Sequence, residues 1–163
     1  MTIHQEKDSD ISFSSCPFCD FASLAVIFEN SLFFAVCNKY PIVAGHSLII
    51  PKRHVEQYLA LTHDENLALT NISRQLIAAL LATYETDAFD YALQEGVWAG
   101  RSIGHLHFHV IPRKQGDLSS PGDWYPELVL QRIDPSQRDR VELDFENMKR
   151  VARMIREHGK AFG

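Results

Sequence analysis

Along the chain the spacing of apolar positions changes several times, and each change marks an element. Residues 24–28 and 32–37 are short apolar runs separated by Glu29, Asn30 and Ser31, the pattern of two strands joined in a hairpin. Beyond Tyr40 and Pro41, residues 45–51 form a compact apolar run bounded by Gly45 and Pro51, which predicts a third strand. The period then lengthens: Leu69, Ile72, Leu76, Ala79, Leu80 and Thr83 make one stripe of a helix over residues 63–84. Thr62 and Glu65 open it with capping-box spacing, the hydroxyl and the carboxylate each satisfying a backbone amide of the first turn. Residues 89–93 and 103–111 read as two more strands, linked by a glycine-containing loop at 94–102. A last stripe through Val141, Phe145, Met148, Ala152 and Ile155 predicts a helix over residues 136–158, with Gly159 as its stop.

Short strand connections, with helices grouped elsewhere in the chain, indicate an α+β fold: a five-stranded, mainly antiparallel sheet with one long helix and one C-terminal helix. The chain has 163 residues, enough for one domain that buries most of its apolar surface. Residues 1–15 are polar and read as a flexible leader, leaving residues 16–163 as the single domain. The stretch from Lys114 to Pro126 is rich in turn formers and is expected to be a mobile surface loop.

Composition narrows the function. The formal charge of −5 argues against general attraction to nucleic acid. Neither a signal-peptide core nor an apolar run of about 18 residues is present, so no membrane association and a cytoplasmic location are expected. The three cysteines, Cys16, Cys19 and Cys37, are an odd number in such a chain and speak against a disulfide framework.

The chemistry concentrates in the last predicted strand. His105, His107 and His109 alternate with Leu106, Phe108 and Val110, so on a strand the imidazoles share one face while the apolar residues face the core. A merely solvated face would be served equally well by Thr, Ser, Lys or Glu, whereas imidazole suits nucleophilic, acid–base or ligand roles near neutral pH.

Together with Asn38, Pro41 and the Gly45-His46 pair, with Gln94-Glu95-Gly96 and Ala99-Gly100 leading into the histidines, and with Pro112-Arg113-Lys114-Gln115-Gly116-Asp117 followed by Trp124-Tyr125, this segment resembles the histidine-triad (HIT) superfamily of nucleotide hydrolases and transferases. The ending is similar to the dinucleoside polyphosphate hydrolase branch related to the fragile-histidine-triad protein. The resemblance implies a catalytic set of His46, His105, His107 and His109. Within it, His107 is the nucleophile that attacks the α-phosphorus and becomes a nucleotidyl-histidine, an example of covalent catalysis. His46 and His109 orient that centre and hydrogen-bond the phosphate. Asn38 holds the ribose hydroxyls, Gln94 and Ser102 contact the phosphate chain and leaving group, and Tyr125 stacks on a second base. Arg101 departs from the glutamine usual in eukaryotic relatives; its charged fork suits a longer, more anionic polyphosphate.

The Cys16-Pro17-Phe18-Cys19 turn resembles that of a bacterial subset of the superfamily. The resemblance implies a structural zinc held by Cys16, Cys19, His54 and His105, and no organic cofactor. Cys37, inside an apolar run, reads as a small buried hydrophobe, and His4, His63 and His158 as leader or helix-end residues. A homodimer is also implied. The expected activity is hydrolysis of dinucleoside polyphosphates. The alternatives are a phosphoramidase, or a nucleotidyltransferase or phosphorylase, of the same family; a metal-dependent hydrolase or oxygenase using the three strand histidines as ligands; and a nucleotide-binding module whose turnover is incidental.

Overall fold

The computed structural model describes residues 16–118 and 142–159. In it β1 (Val26–Glu29), β2 (Phe33–Cys37), β3 (Ser47–Pro51), β4 (Ala88–Leu93) and β5 (Phe108–Arg113) form one sheet in the order β1-β2-β3-β5-β4. Every neighbouring pair is antiparallel. The long helix α1 spans His63–Tyr84 and the C-terminal helix α2 spans Phe145–Gly159. The α+β architecture read from the sequence is the one observed.

The β1–β2 turn is built by one side chain. Asn30 Oδ1 accepts from the Leu32 and Phe33 amides at 2.9 and 2.8 Å, while its Nδ2 donates to the Ala68 carbonyl of α1 at 2.9 Å. Strand alternation then divides the apolar residues between the two faces of the sheet. Phe33, Ala35, Ile49, Leu106, Phe108 and Val110 pack with the stripes of both helices, including Leu76, Leu80, Met148, Ala152 and Ile155. Phe34, Val36, Leu48 and Ile50 turn the other way and pack with Cys16 and Phe18. The helices therefore cover one face, and the cysteine turn covers the other, beside the histidines.

Both halves of the capping box at Thr62 and Glu65 are present. Glu65 also serves a second partner, since its carboxylate accepts from Arg53, at 2.5 Å from Nε and 2.8 Å from Nη2. That guanidinium, with help from the Thr62 amide, holds the carboxyl down at about 2 from its ordinary 4.5, against the opposing effect of burial. A carboxyl lowered in the folded state stabilises the fold above its ordinary value and loses that contribution as the pH falls through its folded value. Because Arg53 is half exposed, the expected cost of Glu65→Gln at pH 7 is modest, about 1–2 kcal/mol. Urea denaturation at pH 7 and near pH 2 tests this, and the gap between the proteins should close at the lower pH.

Most element ends fall within two residues of the sequence reading, and two starts differ by more. The strand expected over 103–111 begins only at Phe108, where pairing with both Ile49 and Leu93 starts. Residues ahead of it leave the ladder: the Leu106 amide donates to the Val55 carbonyl at 2.7 Å, and the His105 ring turns to the Pro51 carbonyl at 3.0 Å. The helix expected over 136–158 starts at Phe145, because Asp144 caps it by accepting from the Asn147 amide at 2.8 Å. Residues 136–141, the leader at 1–15, and most of the expected loop, with Trp124 and Tyr125, lie outside the described residues. Among those described, no helix is long and apolar enough to cross a membrane.

Candidate active site and metal cluster

Where β1 begins and β2 ends, the fold leaves a cleft of about 670 Å³. Its lining includes Asn38, Ser102, His107 and His109, set among apolar side chains such as Phe18, Leu24 and Val36.

His107 is fixed by the bend that precedes β5. Its Nδ1 lies 2.7 Å from the His105 carbonyl oxygen. A carbonyl only accepts, so Nδ1 carries the proton and donates it, which puts the lone pair of the neutral ring on Nε2. The Phe18 ring meets the imidazole edge-on with centroids 5.3 Å apart, and so restrains its tilt.

His46 and His109 are linked in the same way. The Ile42 amide donates to His46 Nδ1 at 3.2 Å, so in the neutral ring the proton sits on His46 Nε2. That nitrogen donates to His109 Nδ1 at 2.9 Å, which in turn leaves the His109 proton on Nε2. The backbone thus sets two tautomers in sequence and gives His109 a donor nitrogen. Asn38 Nδ2 sits 3.2 and 3.3 Å from the His46 ring nitrogens, with its Oδ1 accepting from the Tyr40 amide at 3.0 Å. Gly45, ahead of His46, has φ +86, and a Cβ there would collide with the Tyr84 ring and Pro112. The approach that seats His46 beside β5 therefore needs glycine.

His105 belongs to a different group. Its ring is fully buried, and burial holds it down to about 4, so it is neutral. Nε2–H donates to the Pro51 carbonyl, which leaves the Nδ1 lone pair facing Cys16 Sγ at 3.4 Å and Cys19 Sγ at 3.6 Å. His54 Nδ1 is 3.4 Å from Cys19 Sγ, and the ligand atoms of all four residues lie within 4.8 Å of one another. Tetrahedral bonds of ordinary length to one sulfur and one imidazole nitrogen place those atoms roughly 3.5 Å apart, so this donor set fits a four-coordinate cation. Among the described residues it is the one His, Cys and carboxylate cluster with such a geometry. The triad therefore does not converge on a shared metal: His105 turns to the cysteines while His107 and His109 turn to the cleft.

Glu56 lies beside the cysteine–histidine cluster. One carboxylate oxygen is 3.8 Å from His54 Nε2, and the other accepts from Arg101 Nη1 at 2.7 Å. Arg101 and Gln94 are not among the cleft-lining residues; Gln94 is buried. Phe18 and Glu56 were not among the site residues expected from the sequence. Phe18 alone carried a signal, standing between two cysteines that already looked like ligands.

Residues 22–116 match the HIT domain family. The chain belongs to that family. Of characterised relatives, the HIT protein is 29% identical over 124 residues to a bis(5'-adenosyl)-triphosphatase of Dictyostelium discoideum, covering 76% of this chain and 83% of the relative. A hypothetical histidine triad nucleotide-binding protein from Sulfolobus tokodaii superposes with a TM-score of 0.70 at 28% identity, over 90% of this chain and 93% of that one. A Zn-bound histidine triad family protein from Mycobacterium smegmatis superposes with a TM-score of 0.68 over 91% and 95% of the two chains. At 22% identity the latter likeness is one of fold.

Proposed function

We propose that this HIT protein is a hydrolase of dinucleoside polyphosphates acting through a nucleotidyl-histidine. The observation that carries the reading is the His107 hydrogen bond to the His105 carbonyl, which presents Nε2 as a fixed nucleophile in a cleft of nucleotide size. The hydrolase reading also draws on the relative named as a bis(5'-adenosyl)-triphosphatase. In the first step His107 Nε2 bonds to the α-phosphorus, and the bond from phosphorus to the bridging oxygen breaks, its electrons leaving with the nucleoside polyphosphate. The His109 Nε2–H, set by His46, supports charge on the phosphoryl oxygens. Water then attacks phosphorus, the N–P bond breaks and the imidazole lone pair returns, releasing a nucleoside monophosphate.

Asn38 is assigned to the ribose hydroxyls, Ser102 and Gln94 to the phosphate chain, and Tyr125 to the second base. Arg101 is assigned to the distal phosphates, reached by exchanging its Glu56 partner for the substrate. Zinc is the cation assigned to Cys16, Cys19, His54 and His105; two thiolates and two imidazoles form a closed set that cross-links the N-terminal turn to the loop after β3 and to the bend ahead of β5 without entering the reaction. Glu56, 3.8 Å from His54 Nε2, adds negative charge beside this set. A homodimer is part of the proposal. It is supported by β4, an edge strand whose Phe89 and Tyr91 are exposed.

Product analysis tests this reading. Diadenosine tetraphosphate should yield AMP and ATP in the absence of phosphate. If products appear only when inorganic phosphate is added, with ADP replacing AMP, the enzyme is a phosphorylase. Preferential cleavage of adenosine phosphoramidate would favour the phosphoramidase alternative. Arg101→Gln should lower the rate on the tetraphosphate relative to the triphosphate by about three- to tenfold, the loss of one charge-assisted contact. An unchanged ratio would remove Arg101 from substrate selection.

A further inference from the structure

The region of residue similarity to the HIT domain ends at 116, yet the cleft does not. Phe145 and Met148, from the first turns of α2, line it together with Tyr40 and the two histidines. The chain leading into α2 is tied to the loop that carries Asn38. The Leu143 amide donates to the Lys39 carbonyl at 3.0 Å, and Glu142 meets Lys39 Nζ at 2.8 Å and the Tyr40 hydroxyl at 3.2 Å. Two partly exposed aromatic residues therefore line the cleft, Tyr40 at 40% and Phe145 at 39% exposure, neither spent on the core. Lys149 Nζ lies 4.8 Å from the centre of the Phe145 ring and anchors it on the helix.

An apolar cleft lined by partly exposed rings as well as by imidazoles suits a ligand with a flat, aromatic part and an anionic part. We infer that Phe145 is a specificity-determining residue of this site, stacking on the nucleobase of the nucleotide transferred to His107, and that the Glu142 clasp sets its distance from Tyr40. This rests on the proposed function and assigns α2 a role in binding in addition to its packing. Every base has a π-face, so the contact discriminates nucleotides from bare polyphosphates more than one base from another.

The test compares the full-length protein with F145L, which keeps apolar bulk, and F145Y, which keeps the ring. Thermal melts verify folding; KM and kcat are measured with diadenosine tetraphosphate, binding with AMP, and inhibition with inorganic tripolyphosphate. F145L should raise KM and the AMP Kd about tenfold, leave the tripolyphosphate inhibition constant unmoved, and change kcat little. F145Y should recover the affinity. Equal AMP affinity in F145L and the natural chain would overturn the inference, as would a parallel loss for AMP and tripolyphosphate, the mark of a cleft merely deformed. Should the natural chain bind AMP with the F145L loss but hydrolyse no dinucleotide, the base contact would stand and the hydrolase reading would fall.

Discussion

His107→Ala is expected to lower kcat on diadenosine tetraphosphate by about four orders of magnitude or more, the scale seen when an enzyme loses its covalent nucleophile. The reason is positional. His107 Nε2 is the lone-pair nitrogen because the His105 carbonyl takes the other proton, and no neighbour in the cleft is equipped to replace it. The nearest rival by chemistry is Cys37, which also lines the cleft, but burial pushes its thiol up to about 12 and keeps it protonated. His109 has its Nδ1 engaged by His46 and its proton on Nε2, the tautomer of a donor. His109→Ala should therefore cost less, about 10²-fold, the range for one lost electrostatic contact to the phosphoryl group. Single-turnover rates separate the two variants, because only loss of His107 removes the first chemical step.

Loss of the metal cluster is the second large expected effect. The natural protein should carry one zinc per chain by elemental analysis, and Cys16→Ser should carry little. The same change should lower Tm by on the order of 10 °C, as expected when several kcal/mol of metal-linked folding energy leaves a domain of this size. Activity should fall by a smaller factor than in His107→Ala, because the damage reaches the nucleophile only through the turn. Phe18 stands between Cys16 and Cys19 and packs on both the His105 and His107 rings, with centroids 5.8 and 5.3 Å away. A chelator should destabilise the protein without stopping turnover in the fraction that remains folded. A protein that binds no metal, with a Tm indifferent to Cys16→Ser, would refute the assignment.

Much of this was legible in the chain. The hairpin around Asn30, the third strand and α1 with its capping box each show a local signal that the fold obeys. The alternation from His105 to His109 was also legible as chemistry, though not as backbone. Alternating apolar and polar residues describe a strand and the bend before it equally well, and the His105 side chain chooses a carbonyl and two thiols that are distant in sequence. In the C-terminal helix the 3.6-residue stripe continues past the true start, and Asp144 was the local signal for that start. The contacts that shape the cleft were not readable, since Lys39 and Glu142 are far apart in the chain and no spacing rule joins them. The same holds for Arg101: its departure from glutamine is visible in sequence, but its Glu56 partner is supplied by the loop after His54.

Covalent nucleotidylation of His107 is read out by intact and peptide mass spectrometry after a brief, quenched incubation with diadenosine tetraphosphate. An adenylyl adduct that maps to His107, forms within one turnover and is absent from His107→Ala is the expected result. Turnover at equal rates in both proteins, with no adduct in either, would contradict it.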